Sequence, residues 1–140
     1  MDKFTRNYSI VLGVVVVALV AVFMHEDPQI QSLNDRLLRD TRLSIYPYTF
    51  RVLRLENGVA TMTTPRSAEF PAYRALGLLF PSLDGLPQDD ARLMQGQLDM
   101  AQLQEYAKGL VLDTESVKHV AWELDTQWLG RHGIEIIPDR

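Results

Sequence analysis

Residues 49–63, TFRVLRLENGVATMT, contain the most specific structural signal in the chain. Residues 49–55 are rich in aromatic and branched side chains, which favour a β-strand. Asn57-Gly58 follows this stretch, and the pair favours the positive φ angles of a type I′ turn. We therefore expect residues 59–63 to return antiparallel to residues 49–55 as a β-hairpin.

An amphipathic helix is predicted on the N-terminal side of the hairpin. Asp27-Pro28 is typical of a helix start, with Asp27 as N-cap and Pro28 at the first helical position. Apolar residues then recur at helical spacing, at Ile30, Leu33, Leu37 and Leu38. The pattern indicates a helix of about a dozen residues.

On the C-terminal side of the hairpin, the sequence predicts several further elements. A short helix ends at Leu79 and has Ser67 as its N-cap, and a loop follows over residues 80–88. The next helix, in one or two pieces, covers residues 91–112, with Gly96 and Asp99 as its weak points. The last elements are a strand over residues 117–124, a helical turn capped by Asp125, and a final strand over residues 134–137. The expected fold class is α+β, with a hairpin, about two further strands and helices packed on one face of the sheet.

The element order distantly resembles that of small periplasmic BON-type domains. Gly58-Val59 at the start of the returning strand and Val117-x-x-Val120 in the late strand carry this resemblance. The returning strand lacks a further glycine found in those domains, and residues 80–99 have no counterpart there. The resemblance therefore assigns no functional residue.

A long apolar stretch lies near the N-terminus, at residues 8–24, YSIVLGVVVVALVAVFM. A helix of this length covers roughly 25 Å, which is at the short end of what crosses the hydrocarbon core of a bilayer, and we expect a single membrane span. The chain accordingly divides into a cytoplasmic N-terminus over residues 1–7, a transmembrane signal anchor over residues 8–24, and one extracytoplasmic domain over residues 25–140.

The flanks of this stretch distinguish an anchor from a cleaved signal peptide and indicate its orientation. No small-residue cleavage site of the A-x-A kind follows the stretch, which favours an uncleaved anchor. Lys3 and Arg6 precede it, whereas Glu26 and Asp27 are the first charged residues after it. Basic residues that flank a membrane span stay on its cytoplasmic side. We therefore expect a single-pass inner-membrane protein with a cytoplasmic N-terminus and a periplasmic C-terminal domain.

Small residues in the span offer a possible contact between helices. Ser9 and Gly13 lie four residues apart, a spacing that lets another helix approach closely. A lipid-facing monomeric helix is the alternative. Expected partners are thus the lipid bilayer and another membrane protein or complex.

Composition excludes several classes of function. The net charge is −4, which does not suggest a nucleic-acid binder, and the absence of cysteine excludes thiolate metal sites. The chain has no closely spaced histidine pair, nucleophile elbow or phosphate-binding loop. We therefore expect no cofactor, no metal and no enzymatic activity.

Two stretches are candidates for interaction with a partner. The first is residues 46–54, YPYTFRVLR, where the candidates are Tyr46, Tyr48, Arg51 and Arg54, because aromatic residues and arginine are enriched at interfaces. The second is the apolar loop with Phe80 and Leu83. The alternative for the first stretch is that Tyr48, Phe50 and Val52 alternate into the core and the arginines flank it.

Three functions compete. The first is an accessory or assembly protein that presents a small periplasmic domain to a membrane complex. The second is a tethered binding module for a small anionic ligand, a lipid headgroup or a cell-wall fragment, with a pocket near Tyr46, Tyr48 and Arg51. The third is a tethered hydrolase, which requires polar groups that converge in a cleft.

Overall fold

The computed structural model describes residues 2–24 and 27–137 and shows an α+β fold. Its elements in chain order are α1 (Lys3–Met24), α2 (Pro28–Arg39), β1 (Val52–Glu56), β2 (Val59–Thr64), α3 (Ala72–Leu79), a 3-10 turn (Pro81–Leu83), α4 (Ala91–Leu112), β3 (His119–Leu124) and α5 (Thr126–Arg131).

The predicted hairpin is confirmed. Asn57 and Gly58 have φ angles of 52° and 77°, and Glu56 pairs with Val59 across the turn. The first strand begins at Val52, three residues later than the sequence pattern suggested. At this point Asn34 of α2 binds the strand edge: its Nδ2 donates to the Val52 carbonyl at 3.1 Å, and its Oδ1 accepts from the Val52 N–H at 2.7 Å.

The sheet has three strands in the order β1-β2-β3, with β1 antiparallel and β3 parallel to β2. The final strand expected at residues 134–137 is wrong, so the sheet gains one strand after the hairpin instead of two. The Ile134 N–H donates to the Leu129 carbonyl at 3.0 Å, which directs this segment back onto the end of α5. Ile134 and Ile136 pack against the core from there.

One face of the sheet forms the core with α2 and α4. Ala60 and Met62 of β2 are fully buried on this face, among leucines of α2 and residues such as Met100 of α4. The opposite face carries polar residues, including an ion pair between Arg54 and Glu123 at 2.9 Å. The alternation of the strands thus gives the sheet one apolar and one solvated face.

Helix α3 begins later than predicted. Its N-cap is Pro71, and Ser67 instead closes a turn by accepting from the N–H groups of Glu69 and Phe70, each at 3.2 Å. Serine side chains form such local turns as readily as helix caps, so the residue type alone did not fix the start. Helix α4 is continuous from Ala91 to Leu112, with Asp90 as its N-cap.

Within the described residues, α1 is the one helix long and apolar enough to span a membrane. None of its residues is buried. The Ser9 hydroxyl donates to the Thr5 carbonyl in the same helix, and the space beside Gly13 is open. Asp27 caps α2 as predicted, while Glu26, on which the predicted orientation partly depends, lies outside the described residues.

Candidate functional site

The first candidate stretch contributes to a buried polar cluster around Asp125, which is 5% exposed. Asp125 Oδ2 accepts from the Tyr48 hydroxyl at 2.8 Å and from Arg51 Nη2 at 3.3 Å. Asp125 Oδ1 accepts from the Trp128 N–H at 3.0 Å and so caps α5, as the sequence predicts. We call Tyr48, Arg51, Asp125 and Trp128 the Asp125 cluster.

Tyr48 faces the core. Only 2% of it is exposed, and its ring packs edge-on against Phe50 and Trp128 at centroid distances of 5.1 and 5.3 Å. Burial raises the pKa of Tyr48 far above its ordinary value. The placement of Tyr48 and Phe50 therefore corresponds to the alternative in which these residues alternate into the core.

The two candidate arginines are both engaged within the protein. Arg51 reaches the buried Asp125 carboxylate with its side chain 36% exposed, and Arg54 pairs with Glu123 on the solvated face of the sheet. The shallow cleft beside Arg51 also contains Asp27, whose carboxylate opposes the approach of an anion. The ion pairs of Arg51 and Arg54 thus hold segments of the fold together, and the two arginines do not converge on a cationic pocket.

Tyr46 belongs to a different region, where it meets the second candidate stretch. Its ring lies 5.8 Å from that of Phe80, in an edge-to-face contact. Two adjacent cavities open here, of about 390 and 510 Å³. Phe80 and Asp99 line both. The first is also lined by Arg42, Ile45, Tyr46, Pro47, Gln102 and Leu103, and the second by Ser82, Leu83, Ala91, Arg92, Gln95 and Gly96. We call these fourteen residues the Tyr46–Phe80 groove.

The hydroxyl of Tyr46 is buried, and it has no hydrogen-bond partner within the described part of the chain. Burial, together with the nearby negative charge of Asp99, raises the pKa of Tyr46 to about 12. A buried donor without an acceptor is uncommon in folded proteins. The wall of the groove therefore holds a buried polar group that no other described residue satisfies.

The charged groups around the groove differ in how they are compensated. Arg92 donates to both carboxylate oxygens of Asp90 at 3.1 Å, and the Arg42 guanidinium stacks on the Tyr106 ring at 4.7 Å. Asp99 accepts a hydrogen bond from Gln95 at 2.8 Å, and among residues 2–24 and 27–137 it forms no ion pair. The charged side chains at the groove are therefore of both signs, since Arg42, Arg92 and Asp99 line it and the positive charge of Arg66 also acts on Tyr46.

Gly96 allows the 3-10 turn to pack closely against α4. A Cβ at this position would meet side-chain atoms of Leu83 at 3.2 Å and Leu76 at 3.3 Å. The sequence pattern had marked Gly96 as a weak point in the helix, whereas the structure uses it for close approach. A larger residue would displace Leu83 and reshape the second cavity.

Sequence reasoning missed three residues of these regions. Ile45 is 85% exposed at the mouth of the groove, Asp99 lies at its centre, and Asp125 joins two distant segments as well as capping a helix. Ile45 has a signal, because it is an apolar residue next to the Tyr46-Pro47 break. Asp99 has none in the sequence, because its role depends on the approach of Phe80 from another segment.

The comparisons with known proteins do not identify this chain. No family model matches the sequence, and neither a curated protein nor a solved structure is significantly similar to it. In the portion that the structure describes, no group of three or more histidine, aspartate or glutamate residues is placed to hold a metal ion.

Proposed function

We propose that this protein is a single-pass, membrane-anchored accessory or assembly protein, whose α+β domain binds a membrane complex through the Tyr46–Phe80 groove. One observation carries the proposal. Tyr46 and Phe80, which sequence reasoning selected separately on different grounds, lie in contact and line one open apolar groove together with Leu83. Partly exposed aromatic residues that line a groove are typical anchors for a protein partner.

The properties of α1 support its role as an anchor. A core helix of a soluble protein would be largely buried, whereas α1 has no buried residue. The sequence after it lacks the small residues of a cleavage site, which favours retention over removal as a signal peptide. Lys3 and Arg6 on its N-terminal side favour a cytoplasmic N-terminus and a periplasmic domain.

The short connection to the anchor restricts the position of the partner. Four residue steps separate Met24 from Pro28, which allows at most about 14 Å between the end of α1 and the start of α2. Helix α2 covers about 18 Å, and the groove begins shortly after it. A partner in the same membrane therefore lies within reach.

The alternative of an anionic ligand near Tyr46, Tyr48 and Arg51 has less support. Tyr48 is buried, Arg51 is bound to Asp125, and Tyr46 lines a separate groove, so the three residues do not form one pocket. The protein-binding function is accordingly the one that the geometry favours.

Site-specific photocrosslinking in native membranes tests this function. A photoreactive residue replaces Ser82 or Gln102 of the full-length chain, both exposed at the groove, or Gln127 of α5 as the control. We expect a membrane-protein adduct from the two groove positions and none from Gln127. The absence of an adduct from both groove positions would overturn the proposal. A reporter fused after Arg140 tests orientation, since cytoplasmic reporter activity would contradict a periplasmic domain.

A further inference from the structure

The two edges of the sheet differ in how they are protected. At the outer edge of β1, the Asn34 side chain binds both the N–H and the carbonyl of Val52, and the strand register shifts between Val52 and Arg54. The other edge is β3, whose pairing with β2 runs without a shift from His119 to Leu124 and whose sequence contains no proline. A regular edge strand of this kind is a template for pairing with another strand.

The backbone hydrogen bonds of β3 show which of its groups point away from the sheet. The His119 N–H donates to the Gly58 carbonyl at 3.1 Å, and the Asp125 N–H donates to the Thr64 carbonyl at 2.9 Å. The odd-numbered residues of β3 therefore face β2, and the residues between them face outward. The outward residues are Val120, Trp122 and Leu124. Within residues 2–24 and 27–137, the outward N–H and carbonyl groups of these three residues form no hydrogen bond.

We propose that β3 pairs antiparallel with β3 of a second copy of this chain, centred on Trp122, so that two three-stranded sheets become one. In this register Trp122 lies opposite Trp122 of the second copy, and Val120 lies opposite Leu124. Because these are the residues with outward backbone groups, each opposed pair exchanges two hydrogen bonds. β3 contributes no residue to the Tyr46–Phe80 groove, so this pairing is a second interface, separate from the one in the proposed function.

The side chains of β3 also suit this register. The three outward residues carry apolar side chains on the core face, each partly exposed at the edge, so the paired strands extend the apolar face of the sheet. On the solvated face, Ala121 lies opposite Glu123 of the second copy, and Glu123 is also paired with Arg54 of its own chain at 2.9 Å. No like charges lie directly opposite each other, an arrangement that would weaken the pairing. The strand is thus complementary to itself, which favours a second copy over an unrelated strand.

The proposed membrane anchor is compatible with this symmetry. A strand that pairs antiparallel with its own copy in a continuous sheet has a twofold axis perpendicular to the sheet. The helices that cover the core face, α2 and α4, therefore lie on the same side of the shared sheet in both copies. Since α2 starts at most about 14 Å from the end of α1, the two anchors can enter the same bilayer.

Engineered cysteines test both the partner and the register, because the chain has no cysteine of its own. Full-length Ala121→Cys and Glu123→Cys, carrying different tags, are produced together in native membranes and mildly oxidised. In the proposed register, position 121 faces position 123 of the second copy with Cα atoms about 4.5 Å apart, which is within the range of a disulfide. Two copies of the same variant place their cysteines on a diagonal of about 7–8 Å, which is too far for a disulfide.

We expect the mixed pair to form at least about tenfold more disulfide than either variant alone. The collision control is Ala121→Cys with Gln88→Cys, since Gln88 is exposed and lies outside β3. A yield from the mixed pair no higher than that of the control would overturn the proposal. Predominant disulfides between identical positions, or with a different protein, would also overturn it, because they assign another register or another partner to the edge.

Charge variants test the same contact without a covalent bond. Ala121→Glu places a carboxylate opposite Glu123 twice in each dimer, and it should raise the dimer dissociation constant of the detergent-solubilised full-length chain about tenfold. Adding Glu123→Lys should restore dimerisation, because opposite charges then face each other. Ala121 is exposed, and the thermal transition confirms that each variant is folded. A wild-type chain that stays monomeric, or a dissociation constant that Ala121→Glu leaves unchanged, would contradict the pairing.

Discussion

Tyr46 and Tyr48 are separated by a single proline, yet they belong to regions of opposite character. In the Asp125 cluster, the Tyr48 hydroxyl, the Arg51 guanidinium and the Trp128 N–H all meet acceptors on one buried carboxylate. In the Tyr46–Phe80 groove, the Tyr46 hydroxyl has no partner within the described residues, and Asp99 forms no ion pair there.

The difference distinguishes a region that stabilises the fold from one suited to binding. The Asp125 cluster ties the segment before β1 to the start of α5, over 77 residues of sequence, and leaves little surface for another molecule. The groove keeps apolar walls and the exposed Asp99 carboxylate at the surface, and the Tyr46 hydroxyl, which has no partner among the described residues, is buried in its wall.

The largest expected contrast concerns two phenylalanines. Phe50 is 2% exposed and packs on Tyr48. Its replacement by alanine should lower the free energy of unfolding by about 4 kcal/mol, because a cavity is left in the core. Phe80→Ala should cost no more than about 2 kcal/mol, since its ring is partly exposed. Urea unfolding of the detergent-solubilised full-length chain measures both. Equal losses would contradict the division into two regions.

Two aspartates should show the next largest contrast. Asp125→Ala removes the acceptor for three donors and should lower the unfolding free energy by about 3 kcal/mol. Asp99→Ala should change it by less than about 0.5 kcal/mol, because Asp99 is exposed. The same urea experiment applies, and a large loss for Asp99→Ala would assign that residue to the fold.

The two tyrosines themselves should respond with opposite signs. Tyr48→Phe removes a hydrogen bond to a buried carboxylate and should lower the unfolding free energy by about 1.5 kcal/mol. Tyr46→Phe removes a buried hydroxyl without a partner and should raise that free energy by up to about 1 kcal/mol. Thermal unfolding of the two variants, which differ by the same single oxygen, gives a matched comparison. Destabilisation by Tyr46→Phe would indicate a partner for its hydroxyl.

The smallest expected effect is on alkaline stability. The pKa of Tyr46 in the folded state is about 12, above the value of about 10 for an unfolded tyrosine. The contribution of this group to stability is therefore complete below pH 10 and declines as the pH rises toward 12. We expect the unfolding free energy of Tyr46→Phe to decline less steeply over that range. Tyrosinate absorbance should show one ionisation step fewer near pH 12, and identical pH profiles would contradict the pKa.

Much of the fold follows from local sequence. Asn57-Gly58 predicted the turn, because few residues other than asparagine and glycine readily adopt positive φ angles. Asp27 and Asp125 predicted helix starts, because their carboxylates accept hydrogen bonds from backbone N–H groups. Two local patterns gave wrong predictions. The serine turn at Ser67 has the same local pattern as a helix N-cap, and the short apolar segment at residues 134–137 has the same pattern as a strand.

The sequence by itself determined the apolar N-terminal helix, the hairpin, the α+β class and three of the residues that line the groove. Only the tertiary structure decided that Tyr46 meets Phe80 while Tyr48 meets Asp125, and that β3 joins the sheet parallel to β2. The physical reason is the range of the interactions. Turns and caps depend on neighbours within a few residues, whereas the groove and the Asp125 cluster arise from contacts between segments that lie more than 30 residues apart.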